Sequence, residues 1–164
     1  MATRGKTFES EIKASLERAG CFAMRIPDKL YWTGRRIASE ETPADHIAIA
    51  IANDRAYPIL IECKATAQKS ISFSALQDHQ YKSLVGFEGF HRDCHSFVVV
   101  NFYDGSNIRN RNLCFFIPIA VWTEYRSGKK KSISIKECDA DDRIISCKRA
   151  KGSTYDVGKI FQFL

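Results

Sequence analysis

The run Ala44-Asp45-His46-Ile47-Ala48-Ile49-Ala50-Ile51-Ala52, followed after Asn53-Asp54-Arg55 by Tyr57-Pro58-Ile59-Leu60-Ile61-Glu62-Cys63-Lys64, reads as a β-hairpin. Isoleucine and alanine alternate through its first arm, the period of a strand with two unlike faces. Asn53-Asp54-Arg55 is turn chemistry. Pro58 stands near the start of the second arm, where a missing donor is tolerated. A turn centred on Asn53-Asp54 puts Asp45 directly opposite Glu62, about 5 Å apart at Cβ, with Ile47 facing Leu60. A turn two residues longer would put Asp45 opposite Lys64 instead. In either register Glu62 and Lys64 share a face by period two, and Cys63 points the other way with Ile59 and Ile61.

Like charges opposed across two strands destabilise a sheet, so this face needs a compensating cation. Lys64 supplies part of one; a hard divalent ion held by both carboxylates would supply more. A third acid is available on the first periodic stretch, Thr7 to Ala19. There Phe8, Ile12, Leu16 and Ala19 form one helical stripe that Gly20 ends. Counting about 100° per residue from Phe8 puts Glu9 at the edge of the stripe, able to approach the sheet. Glu11 falls further outside it, toward solvent.

Working outward, Cys21 to Ile26 reads as a short strand, and residues 27–43 as an irregular loop or small protrusion containing Gly34, Arg35 and Arg36. Ser74 with Gln77 has the spacing of a capping box, predicting a helix that runs to about Val85 and ends at Gly86 and Gly89. Phe97 to Phe102 and Leu113 to Ile117 are strands, and Pro118 opens a short helix through Tyr125. The remaining tail is polar and basic, with one or two short strands and an apolar end, Ile160 to Leu164, that packs back. This order predicts an α/β fold, a central mixed β-sheet flanked by helices. One domain is expected over residues 1–164, a core of about 4–126 followed by a basic segment, 127–164.

The chain has 164 residues, 45% of them hydrophobic and 27% charged, an ordinary globular composition that argues against a disordered, collagenous or coiled-coil chain. No window approaches the roughly 18 uninterrupted apolar residues of a membrane span, and Met1 to Leu16 has no apolar core of a signal peptide. A cytoplasmic location is the expectation. Lysine and arginine number 25 against 19 acidic residues, a net charge of +6 that favours a polyanionic partner. None of the six cysteines forms a CxxC pair, so they read as reduced packing residues. His91, Cys94 and His95 form a conceivable metal clip, but no second ligand pair with zinc spacing follows.

Thr42-Pro43-Ala44-Asp45 followed by Ile61-Glu62-Cys63-Lys64 resembles the core of the PD-(D/E)XK nuclease superfamily, with Ala44 intervening between the proline and the aspartate. Arg4-Gly5-Lys6-Thr7-Phe8-Glu9 looks like the Gly-x-x-x-Glu opening of Holliday junction resolvases in that superfamily. Phe73-Ser74-Ala75-Leu76-Gln77-Asp78-His79-Gln80, and Phe115-Phe116-Ile117-Pro118 with the later Lys130-Lys131-Ser132-Ile133, are similar to segments of the RecU-like resolvases. The likeness covers roughly residues 4–135. It implies a restriction-endonuclease-like core and a Mg2+- or Mn2+-dependent endonuclease that acts on branched double-stranded DNA, the four-way junction, as a homodimer. Carried onto this chain, it makes Glu9, Asp45 and Glu62 metal ligands, sets Lys64 beside the reacting phosphate, and places Gln80 near the site. Residues 27–43 match the position of the RecU-like stalk but are short.

For the DNA itself, Arg4, Lys6, Arg35, Arg36, Lys129, Lys130 and Lys131 are the expected phosphate contacts. Tyr31 and Trp32 are candidates to stack on exposed bases. A repair or restriction-type endonuclease on the same core would need the same acids. A DNA-binding module without catalysis would have no physical need to keep opposed carboxylates.

Overall fold

The computed structural model describes residues 4–35, 37–104 and 112–164; Arg36 and the side chain of Tyr31 lie outside the described residues. Helix α1 (Arg4–Arg18) buries Phe8, Ile12 and Leu16. Gly20, at φ 86°, closes it: the Gly20 N–H donates to Glu17 O and the Cys21 N–H to Leu16 O, the two bonds that finish a helix through a left-handed residue. Strands β1 (Phe22–Arg25), β2 (Lys29–Trp32), β3 (Ile37–Glu40), β4 (His46–Ala52), β5 (Arg55–Thr66) and β6 (Ser70–Ser72) follow, then α2 (Asp78–Phe90), β7 (His95–Tyr103), β8 (Asn112–Pro118) and α3 (Ile119–Ser127). The tail forms β9 (Ser132–Ser134), α4 (Ile135–Ala140), β10 (Ile145–Cys147), β11 (Arg149–Ala150) and β12 (Thr154–Tyr155).

Six strands make one mixed sheet in the order β1-β4-β5-β7-β8-β10. β5 and β7 are parallel, with α2 in the crossover that a parallel pair needs; the other neighbours are antiparallel. Alternate residues of β5 feed two cores. Ile59, Ile61 and Cys63 meet α1 on one face, while Leu60 joins Val98, Val100, Leu84 and Trp122 on the face covered by α2 and α3. The central strand β7 is apolar on both faces, as a strand between two helical layers must be. Aromatic edges lock the second core: Trp122 and Phe73 meet edge-on with centroids 5.2 Å apart, a contact worth about 0.5–1.5 kcal/mol beyond its buried area. The α/β class and the helix-flanked mixed sheet are as predicted, and all six cysteines are buried free thiols.

Three local expectations are corrected. Ser74 does not start α2. Phe73–Ala75 is a separate 3-10 turn in which the Ser74 N–H donates to the Ser72 hydroxyl, and α2 starts four residues later, with the Gln80 side chain accepting the Gln77 N–H at 3.1 Å. Gly86 and Gly89 do not end α2. Each costs about 1 kcal/mol against alanine, but Phe87 packs on the core and Glu88 accepts the Ser96 N–H, which carries the helix to Phe90. Residues 27–43 hold the two-stranded ribbon β2–β3 rather than an irregular loop. In the tail, β10 completes the main sheet beside β8, and Ile160, Phe161 and Leu164 pack back onto the α1 face.

Candidate active site

Asn53 and Asp54 both take positive φ, 50° and 58°, the paired left-handed geometry of a tight hairpin turn. That fixes the shorter of the two possible registers: Ile47 faces Leu60 and His46 faces Ile61. The regular ladder stops at His46: Asp45 lies one residue before β4, its N–H donating to Ile61 O at 3.1 Å as a bulged residue would, and its carboxyl turns to the end of β5 near Glu62. Asp45 Oδ2 accepts the Cys63 N–H at 2.7 Å. Lys64, two residues beyond Glu62 on β5, donates its Nζ to Glu62 Oε1 at 2.7 Å and to Gln80 Oε1 at 3.1 Å. Gln80 completes the triangle, its Nε2 donating to Glu62 Oε1 at 2.6 Å. Asp45, Glu62, Lys64 and Gln80 therefore form one group between the end of the hairpin and the first turn of α2.

Its charge is unbalanced. Glu62 is only 2% exposed, and its Oε2 is buried without a donor. Burial pushes the Glu62 carboxyl up to about 7, and the nearby Asp45 adds to the rise. Burial likewise pushes Asp45 up to about 6 against the pull of the Cys63 amide, with Glu9 raising it further. Two hard oxygen donors short of positive charge fit a divalent cation, and Mg2+ is commonly held by one or two carboxylates plus waters and substrate phosphate.

Glu9 comes close enough for its charge to be felt at both carboxylates, but its Oε2 accepts Arg25 Nε at 3.1 Å. Among the described residues no group of three or more His, Cys, Asp and Glu side chains is arranged to hold a metal ion. The expected three-acid cage is thus a close pair with Glu9 held off by Arg25. Arg25 also binds Asp28 at 3.1 Å. Sequence reasoning missed it; the signal was its place in β1 opposite His46, one residue from Asp45. His46 itself is buried beneath the site, where burial, then the charges of Arg25 and Lys13, lower its pKa to about 4 and keep it neutral.

The expected phosphate contacts divide. Lys6, Arg35, Lys129, Lys130 and Lys131 are exposed. Arg4 is not available: it donates to Asn101 Oδ1 at 2.8 and 3.0 Å and pairs with Glu11 at 3.0 Å. Glu11, expected at the surface, is buried between Arg4 and Arg149. The tail strands cover that flank of α1, which the helical wheel alone does not reveal. Trp32 is exposed on the ribbon. The His91–Cys94–His95 clip does not assemble: Cys94 is buried, the His95 ring lies 6.0 Å from that of Tyr57, and His91 accepts the Asp93 N–H.

No family model matches this sequence, and no curated protein matches it. Among solved structures the fold is similar to that of Hjc, a Holliday junction resolvase from the archaeal hyperthermophile Archaeoglobus fulgidus. The match covers 81% of this chain and 90% of that one, at 20% identity and a TM-score of 0.51. At that identity the likeness is one of fold: a central mixed sheet of six strands flanked by helices.

Proposed function

We propose that this chain is a divalent-metal-dependent endonuclease of branched DNA that cuts four-way junctions by phosphodiester hydrolysis. The observation that carries the reading is the buried Glu62 with Lys64 hydrogen-bonded beside it and the half-buried Asp45 carboxyl brought to the same end of β5 by the Cys63 N–H. The likeness in fold to a structure described as a Holliday junction resolvase supports it.

Asp45 and Glu62 would hold Mg2+ or Mn2+, which supplies an acidified water and offsets charge on the phosphate. The Cys63 amide fixes one Asp45 oxygen and leaves the carboxylate aimed across the hairpin. Lys64 presents a cation toward the reacting phosphate, where developing negative charge needs it most. Gln80 restrains both Lys64 and Glu62, so the group is positioned before substrate arrives. Glu9 serves as a third acid once Arg25 turns to the DNA, a strand of opposite charge. Lys6, Arg35 and the lysine run 129–131 give sequence-tolerant phosphate contacts. A four-way junction, a flap and a linear duplex, each incubated with the protein and Mg2+ or Mn2+, test the reading. Paired symmetric nicks in the junction, lost on chelation, are expected; equal cutting of all three would reduce the protein to a general nuclease, and no cutting removes the reading.

Action as a homodimer is part of the same proposal. On β1 and β4 the face shared with Asp45 is left uncovered by α2. Phe22 is 61% and Ile51 60% exposed there, and Met24 and Ile49 lie between them. An apolar strip of this kind marks an interaction surface. A second copy seated on it would bring two acid pairs to one interface, as paired cuts require. Ile51→Asp is expected to convert a dimer in sedimentation analysis to a monomer without lowering its melting temperature. A wild type that already sediments as a monomer sinks the idea.

A further inference from the structure

Past the site, the strand that carries Lys64 runs into a path of hydroxyls and cations. Lys64 opens a cleft of about 430 Å³ whose walls include Thr66, Ser72 and Ser132. Ser72 also lines a second cleft of about 610 Å³, bordered on its far side by Arg126, Lys130 and Lys131. The two clefts meet at that shared residue. The sequence builds this wall by alternation: β6 and β9 pair with Ile71 opposite Ile133, both buried, so Ser72 and Ser132, also paired, point outward.

The charges along the path are set rather than loose. Arg126 donates to Asp78 at 3.0 Å and lies 4.3 Å over the Tyr81 ring. Lys130 pairs with Glu137. Lys131 has no ion-pair partner among the described residues, while its backbone carbonyl accepts the Phe73 N–H at 3.0 Å and the Ser72 hydroxyl at 3.3 Å. An unpaired ammonium thus rises from a fixed backbone. The larger cleft is also joined to the acids: Gln77 lines it, and the Gln77 N–H donates to Gln80, which holds Lys64 and Glu62.

We propose that this path seats the sugar–phosphate backbone of the DNA strand leaving the scissile position. Lys131 binds a phosphodiester beyond the one at Lys64, and the Ser132 hydroxyl donates a hydrogen bond between them. Ammonium and hydroxyl groups read phosphate and not base edges, so the site adds register without sequence preference. The inference rests on the endonuclease reading and extends it.

Binding of a fluorescein-labelled four-way DNA junction, measured by anisotropy across a salt series without divalent cation, tests it apart from cleavage. Lys131→Ala is expected to weaken binding at every salt and lower the log–log salt slope by about one. Lys131→Arg is expected to keep the wild-type slope. Lys159→Ala removes the same charge from an exposed turn at Gly158–Gln162, on the α1 side of the sheet, and is expected to leave the slope unchanged. A wild-type slope in Lys131→Ala, or an equal fall in Lys159→Ala, overturns the path while junction cutting by the wild type would still stand. Failure of the wild type to cut, with the Lys131 effect present, removes the endonuclease reading and leaves the phosphate path.

Discussion

Asp45→Asn is expected to lower metal-dependent cleavage by about a thousandfold or more while making the protein harder to melt above pH 7. The first effect follows from removing one of two carboxylates that would hold the cation, since losing a single charge-stabilising group in such a site costs about 10²–10³ in rate and the metal contributes beyond that. The second follows from burial. Asp45 and Glu62 both have their pKa raised in the folded protein, so the folded state favours their protonated forms. Stability from this source is fully present below the ordinary carboxylate range and is lost as pH rises through about 6 to 7. Asparagine has no proton to lose, and its side-chain oxygen still accepts the Cys63 N–H. At pH 8 the variant should gain about 2 kcal/mol, after allowance for the partial exposure of Asp45, or about 4–8 °C in a domain of this size. At pH 5 the difference should fall to about half, because the unfolded carboxyl is still ionised there, and it should close only below the ordinary carboxylate range. Melting curves at both pH values, in buffer free of divalent cations, check this beside a cleavage assay. A variant that still cuts removes Asp45 from the site; one that melts lower at pH 8 shows that the neighbouring charges are not a strain on the fold.

Arg4→Ala should act in the opposite direction and for a different reason. Arg4 is tied to Asn101 and Glu11, and the hydroxyl of Tyr155, 3.3 Å away, donates to Asn112 at 2.6 Å. Burial pushes Glu11 up, yet the hydrogen bonds from Arg149 and Arg4 hold it below the usual carboxylate range. Removing the guanidinium leaves a buried carboxylate with one cation instead of two, and the fully buried Asn101 without a donor at its carbonyl oxygen. Breaking such a group costs about 3 kcal/mol, which corresponds to a fall of about 6–12 °C in melting temperature. Arg4→Lys keeps the charge but loses the planar fork, and should fall between. A variant that melts like the wild type but binds DNA more weakly would return Arg4 to the phosphate contacts.

Asp45 and Arg4 differ in how far their partners lie along the chain, and that distance decides what the sequence makes legible. Asp45, Glu62 and Lys64 are legible because strand alternation and a two-residue turn are local rules, and together they leave few ways to align the arms. The α/β class is legible for the same reason. The surroundings of Glu11 and Arg4 are not, because Arg149, Asn101 and Tyr155 arrive from the other end of the chain. Arg25 is hidden by a pairing between β1 and β4 across 20 residues of intervening sequence, which no local period announces. The start of α2 is misplaced by sequence alone because Ser72, Ser74 and Gln77 all offer capping chemistry, and tertiary contacts choose among them.

The tight turn at Asn53 and Asp54 limits how this chain can diverge. β5 is paired with β4 and, through eight residues, with the buried central strand β7, whereas β4 has only the four-residue edge strand β1 on its other side, so a single residue added at the tip would push β4 along by one place. Asp45 would then swing to the α1 side of the sheet, and a neighbouring side chain would take its seat near Glu62. Insertions and deletions at that corner should survive only in twos, or with a compensating bulge, even though the corner lies at the far end of the strands from the acids.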